Sequence, residues 1–207
     1  MAVITHLANS PKQLEEAHEL VKNSYGEAFK LDLDELKVGH PEQFKHEVLI
    51  ATSSTNGEIL GTLSFMYPSN DGVFPCESFF GFNLKKNIKK KMQFIEIGRF
   101  ATSKEGKKNP AVVISLFLGI TYFMKARKIN GWVATVKDDI FNFFLKINMP
   151  MHLINQLPDL PQSSPLWGYI GDVSSLHLFK VSSSEAANSF SRFQGYITKK
   201  LIEIKIK

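Results

Sequence analysis

The spacing of hydrophobic and polar positions along this chain changes period repeatedly, and each change marks an element. Val3-Ile4-Thr5-His6-Leu7 reads as a short strand, and Ser10-Pro11 then supplies an N-cap followed by proline at the first helical position. Leu14, Ala17, Leu20, Val21 and Tyr25 recur at helical spacing and predict one apolar helix face. From Phe29 to Phe44 the pattern is mixed and polar, broken by Gly39 and Pro41, which predicts a mobile or partly helical connector. Val48 to Thr52 and Ile59 to Met66 flank Asn56-Gly57, a strong hairpin signal, and predict two antiparallel strands.

After a loop with Pro68, Asn70-Asp71-Gly72 and Pro75, the run from Met92 to Thr102 reads as a buried strand. Asn109-Pro110 opens a helix through Val112, Leu116, Ile120, Phe123 and Met124, closing on Lys125-Ala126-Arg127-Lys128, the charge that a helix C-terminus prefers. Gly131 to Val136 is the next strand, and Asp138-Asp139 is expected to cap a helix carrying Ile140, Phe143, Phe144 and Ile147. Leu157 to Gly171 predicts a long loop and Ser175 to Val181 a late strand. Ser182-Ser183-Ser184-Glu185 then opens a last helix with Phe190, Phe193, Tyr196 and Ile197 on its apolar side. The chain shows no internal repeat.

Within the strand Phe94-Ile95-Glu96-Ile97-Gly98-Arg99-Phe100-Ala101, a carboxylate and a guanidinium interrupt an otherwise apolar run. Burying an unpaired charge costs on the order of several kcal/mol, so such groups have a partner or a task. Strict alternation would put Glu96 and Arg99 on opposite faces, whereas a bulge at Gly98 would bring them to one side. Two roles stay open for them: a catalytic pair, or a buried ion pair that fixes the strand.

Length and composition narrow the setting. A chain of 207 residues suits one domain, residues 1–207, because two would each lack core. Its seventeen phenylalanines are enough both to pack a core and to line an apolar cavity. The chain contains no run of about 18 uncharged apolar residues, and Met1-Ala2-Val3-Ile4-Thr5-His6 lacks the layout of a secretion signal. A cytoplasmic protein without a transmembrane segment is therefore expected. A single cysteine, Cys76, excludes an internal disulfide and a cysteine-based zinc site, and the histidines at 6, 18, 40, 46, 152 and 177 have no ligand spacing, so no metal is expected. Neither a nucleophile elbow nor a phosphate-binding glycine loop of the nucleotide hydrolases is present.

The net charge of +5 is uneven. Lys85, Lys86, Lys89, Lys90 and Lys91 crowd one loop, and Lys104, Lys107 and Lys108 follow the central strand. This asymmetry suits an acidic partner on one face, or else a solvated loop; without an aromatic-interleaved basic motif, nucleic acid is not expected.

The order of elements resembles the acyltransferase fold of the GNAT superfamily. Glu96-Ile97-Gly98-Arg99-Phe100 is similar to the Glu-x-Ser-Arg-Phe motif of the acyl-homoserine-lactone autoinducer synthases and their N-acyl amino acid synthase relatives. Gly131-Trp132-Val133-Ala134 and the helix after it extend the likeness, which covers Phe94 to about Met149. The chain departs from that pattern twice. Ser24 to Glu47 has no tryptophan of the kind associated with S-adenosylmethionine in the autoinducer synthases, and Lys104-Glu105-Gly106-Lys107-Lys108-Asn109 has one glycine where the coenzyme A loop has two.

The resemblance implies an α/β fold with a mixed, mostly antiparallel central sheet flanked by helices, its central strand splayed or bulged near residues 92–102. It implies an N-acyltransferase moving a fatty acyl group from an acyl carrier protein thioester to the amine of a small acceptor such as an amino acid. An acetyl-CoA-dependent N-acetyltransferase and a catalytically silent acyl-ligand or protein-binding relative are the alternatives.

In the first reading Glu96 deprotonates the acceptor amine, directly or through water, and Arg99 orients Glu96 or an acceptor carboxylate. Phe94, Gly98, Phe100, Ala101, Trp132 and Phe144 are the candidate substrate-binding residues, with Phe117 and Phe141 as further cavity candidates and the amides near Phe100 and Ala101 facing the thioester oxygen. Lys104, Lys107, Lys108 and Asn109 would meet the phosphate of a phosphopantetheine arm at the next helix start, and Lys89 and Lys90 would dock the carrier protein. No tightly bound cofactor is implied; the acyl-phosphopantetheine thioester is a substrate.

Overall fold

The computed structural model describes residues 2–29, 44–80, 84, 87–88, 92–157, 176–193, 195, 199 and 201–206. The 30–43 connector, the expected loop beyond Leu157, Tyr196, Ile197 and the five lysines between 85 and 91 lie outside those residues.

The elements run β1 (Val3–Leu7), α1 (Pro11–Phe29), β2 (His46–Ser53), β3 (Ile59–Met66), α2 (Pro75–Phe80), β4 (Phe94–Thr102), α3 (Lys104–Lys107), α4 (Pro110–Ala126), β5 (Gly131–Lys137), α5 (Asp138–Lys146), β6 (His152–Leu157), β7 (Leu176–Ser182), α6 (Ser183–Phe190) and β8 (Ile202–Lys205). They form a mixed α/β fold whose eight strands make one sheet in the order β6-β7-β5-β4-β3-β2-β1-β8. Only β1–β8 and β4–β5 are parallel; the other pairs are antiparallel.

Local chemistry accounts for most boundaries. The Asn56-Gly57 turn joins β2 to β3 with Gly57 at φ +74°, as a tight hairpin requires. Asn109 caps α4, its side chain accepting the Ala111 N–H, and Pro110 follows at the first turn. Ser182 caps α6 by accepting from the Glu185 N–H. At α5 the cap position falls to Lys137, so Asp138 and Asp139 lie in the first turn, where they favour the helix dipole. The hydrophobic pattern did not announce α2, β6 or β8, which are short and lack a period of their own.

The main core lies on the sheet face covered by α4, where Phe65 of β3 stacks on Phe123 of α4 with ring centres 3.7 Å apart. Leu49, Ala51, Leu63, Ile95, Ile97 and Trp132 belong to it. A smaller cluster on the opposite face joins Ala17 of α1 to Ile50 and Ile59. The sheet is therefore apolar on both faces, and each polar side chain inside it needs a local explanation.

Candidate active site

The central strand is both splayed and bulged. β4 pairs with β5 only over Phe94, Ile95 and Glu96, opposite Gly131, Trp132 and Val133; β5 continues along β7 and β4 along β3. Along β3, Gly98 faces Ser64 and Ala101 faces Thr62, which leaves Arg99 and Phe100 both opposite Leu63. Arg99 has φ +54°, a left-handed conformation that costs a non-glycine residue roughly 1–2 kcal/mol. The bulge thus falls one residue beyond Gly98, on the arginine itself.

Its geometric effect is the expected one. Ile97 belongs to the α4-side core, and the Phe100 ring lies parallel to that of Phe117 of α4 at 6.1 Å. Between them, Arg99 turns to the α1 side instead of following the alternation. There it lines a cleft of about 90 Å³ with Ala17, His18 and Val21 of α1, His46 and Val48 of β2, and Thr62 and Ser64 of β3. Glu96 and Gly98 pair with Met66 and Ser64 on this same face.

Glu96 is buried at 7% exposure, yet it is not held by Arg99: no ion pair joins the two among the described residues. Its Oε2 accepts the Cys76 N–H at 2.8 Å. Burial raises its pKa to about 7; the amide and side chain of Cys76 oppose that rise, and the Glu77 carboxylate adds to it. A carboxyl that loses its proton near neutrality is suited to general-base work.

Tyr25 connects the two charged residues. Its hydroxyl accepts a hydrogen bond from the Arg99 backbone N–H, and it feels the charges of both Arg99 and Glu96. Burial raises the phenol's pKa and lowers that of the Arg99 guanidinium, which the neighbouring Tyr25 partly restores. The bond to the Arg99 amide offsets part of the left-handed strain, so α1 holds the bulge in place. Arg99→Gly is therefore expected to keep or slightly raise the melting temperature while losing acyl transfer. A fall of several degrees in a thermal melt would show that the guanidinium supports the fold instead.

The apolar candidates divide into two groups. Phe100, Trp132 and Phe144 meet in one aromatic cluster on the α4 side: Phe117 packs edge-on to Phe144 at 5.4 Å, Phe144 to Phe179 at 5.9 Å, and Phe179 to Trp132 at 5.5 Å. Phe141 adjoins it through Phe179 at 6.3 Å. The cluster lies against β5, where that strand separates from β4. Phe94 stands apart, its ring filling the space that a side chain at Gly131 would need. Ala101 is buried beside Thr62.

Lys104 and Lys107 are exposed on α3, with Lys108 exposed after it. Asn109 is occupied as the α4 cap, so it serves the helix before any ligand. Lys89 and Lys90 lie outside the described residues. Among the described residues no group of histidine, cysteine, aspartate and glutamate could hold a metal.

Cys76 and Glu77 were not legible as parts of the site, because their place beside β4 depends on α2 being brought to that strand from about twenty residues away. The sequence placed Tyr25 on the apolar face of α1, and the helical spacing did signal that the residue points inward.

An eight-stranded sheet with a splayed, bulged central strand and a carboxylate beside the splay defines an acyltransferase of the GNAT fold. Within that class, the profile of the FeeM N-acyl amino acid synthase family matches residues 16–150, and the chain belongs to this family. Solved structures agree on the fold. FeeM itself, an N-acyl amino acid synthase from uncultured soil microbes, superposes with a TM-score of 0.69 at 14% identity, covering 92% of this chain and 96% of that one. BjaI, a CoA-dependent acyl-homoserine lactone synthase solved with SAM and isopentyl-CoA, gives 0.63 at 10% identity over 99% and 93%. A GNAT-family acetyltransferase from Staphylococcus aureus Mu50 gives 0.53 at 16% over 88% and 99%. No curated protein matches the sequence. No helix among the described residues is long and apolar enough to cross a membrane.

Proposed function

We propose that this acyltransferase moves a fatty acyl group from the phosphopantetheine thioester of an acyl carrier protein to the amine of a small acceptor such as an amino acid. The observation that carries the reading is Glu96, a buried carboxyl with a pKa of about 7, on the same face as Arg99 and next to the β4–β5 splay.

The acceptor enters on the α1 side. Its ammonium loses a proton to Glu96, directly or through water, and its carboxylate meets the Arg99 guanidinium, whose planar fork binds two oxygens at once. The thioester arm lies extended in the splay, where β4 and β5 no longer satisfy one another, with the amides beside the bulge at Phe100 and Ala101 facing the carbonyl oxygen. The amine attacks the thioester carbon, the amide forms, and the thiolate leaves with a proton. The aromatic cluster around Phe100, Phe117, Phe144 and Trp132 receives the acyl chain.

Lys104, Lys107 and Lys108 stand where the phosphate of the arm would emerge at the start of α4. A CoA thioester carries the same arm and is the other candidate donor; BjaI is a CoA-dependent synthase. Incubating the protein with matched acyl carrier protein and acyl-CoA donors and a panel of free amino acids, with mass-spectrometric detection, tests the proposal. Amide product from the carrier-borne donor supports it, product from CoA alone reassigns the donor, and ligand retention without product identifies a silent binder.

A further inference from the structure

A buried imidazole stands across the β4–β5 gap from the bulge and has no part in the transfer proposed so far. His177 of β7 is 6% exposed, and its Nε2 meets Oδ1 of Asp138 at the start of α5, a side chain that is 40% exposed. The Phe141 ring lies flat on the imidazole, with centres 4.0 Å apart. The other ring nitrogen, Nδ1, is buried and meets no hydrogen-bond partner among the described residues. An unmet buried polar atom costs on the order of 1–3 kcal/mol, so its presence points to a ligand to meet or a proton to move.

The sheet register places this residue relative to the reacting bond. β4 and β5 last pair at Glu96 and Val133. Three positions further along β5 is Val136, which pairs with His177. Three positions further along β4 is the bulge, where Arg99 and Phe100 share the place opposite Leu63. His177 therefore lies level with the bulge amides, one strand beyond the gap. It also lies on the α4 side of the sheet, because residues two apart on a strand share a face and Phe179 belongs to the aromatic cluster there. Phe141 adjoins both His177 and Phe179.

We propose that His177 is the acid that protonates the departing thiolate, with Asp138 as the positioning residue that holds its ring. The proposal rests on the acyl-transfer reading. With Nε2–H given to the Asp138 carboxylate, the imidazole gives and takes its proton at Nδ1. The acceptor ammonium first gives one proton to Glu96. The amine nitrogen then bonds to the thioester carbon, and the carbon–sulfur bond breaks with its electron pair going to sulfur. Sulfur takes the proton from His177 Nδ1, the second nitrogen proton passes to water as the amide forms, and His177 regains a proton from water once the thiol has left. One proton is released per turnover, as amide formation from an ammonium and a thioester requires. Base and acid stand on opposite faces of the sheet, so neither neutralises the other.

A pair that only anchored α5 to β7 would affect every donor alike, whereas an acid matters most when the leaving group is poor. The protein would be given two thioesters of the same fatty acid, one of N-acetylcysteamine, a poor leaving group, and one of thiophenol, whose thiolate leaves without a proton. His177→Gln is expected to lower kcat/KM about 100-fold with the first and less than about threefold with the second. Asp138→Asn is expected to lose about tenfold with the first alone. Equal losses with both thioesters, or no loss with the first, overturn the proposal and leave acyl transfer in place.

A second measurement needs no turnover. The protein labelled with 15N-histidine would be titrated with pantetheine, the leaving thiol of the arm, and the His177 signal identified by its loss in His177→Gln. A shift at Nδ1 with pantetheine that is absent with its S-methyl ether supports the thiol as the partner of Nδ1; no shift overturns the proposal. Should His177→Gln fail to fold, the signal is identified by its displacement in Asp138→Asn, and the donor dependence of that variant decides. Absence of turnover with every donor in the wild type rejects the acyl-transfer reading, and the Nδ1 shift then decides alone whether His177 meets the thiol.

Discussion

Replacing Glu96 by glutamine is expected to cut the rate of acyl transfer by about 100- to 10,000-fold, the usual range for loss of a general base, while making the protein more stable above neutral pH. The second effect follows from linkage. The folded state raises the Glu96 pKa from its ordinary value of 4.5 to about 7, so the folded protein favours the protonated carboxyl. That contribution to stability is fully present below pH 4.5 and disappears as pH rises through 7. Across the window the loss amounts to about 3 kcal/mol, since each pH unit of difference is worth about 1.4 kcal/mol.

Glutamine has the shape of the protonated acid and cannot ionise, and its carbonyl can still accept the Cys76 N–H. Chemical denaturation at pH 5 and pH 8 checks this. The variant should gain little at pH 5 and about 2 to 3 kcal/mol at pH 8. A variant that transfers acyl groups at the wild-type rate would remove Glu96 from the mechanism, and one less stable than wild type at pH 8 would show that the carboxylate is a structural anchor.

The largest expected effect on folding belongs to Gly106→Ala. A Cβ at Gly106 would stand 2.0 Å from the carbonyl oxygen of Leu60 and 3.0 Å from its carbon, both backbone atoms of β3 that cannot swing aside. The Ser103 N–H also donates to that carbonyl at 2.9 Å, so relief would break a bond as well as shift α3. Overpacking of this kind costs about 3 kcal/mol, enough to lower the melting temperature of a chain of this length by roughly 6 to 12 °C.

Gly98→Ala provides the contrast. There the obstruction is the terminal methyl of Met66 at 2.7 Å, the far end of a flexible side chain, and a cost of about 1 kcal/mol or less is expected. A thermal melt of both variants separates them, and equal losses would mean that Gly98 has a backbone role that its conformation does not show.

That contrast also marks how far the sequence carries the site. It singled out Gly98 because glycine within a strand often accompanies a bulge, and the bulge occurs one residue later, on Arg99. Local preference favours the left-handed conformation at glycine by about 1–2 kcal/mol. The Tyr25 hydroxyl on the Arg99 amide works against that preference, and helix α1 comes to β4 only when the sheet forms. Glu96 and Arg99 do share one face, as the bulge argument required, but they are not paired to each other.

By itself the sequence determined the elements with a strong period or a strong cap. These are α1 behind Ser10-Pro11, the hairpin at Asn56-Gly57, α4 behind Asn109-Pro110, α6 behind Ser182, and the two charges inside β4. Each depends on bonds and burial within a few residues, which a local pattern records. The tertiary structure alone decided that Glu96 would be met by the amide of Cys76, that Glu77 would accept from the amides of Phe74 and Leu84, and that Tyr25 would hold the bulge. Those contacts span 20 residues between Cys76 and Glu96, and far more between α1 and β4, so their energies depend on burial that exists only after the sheet has closed.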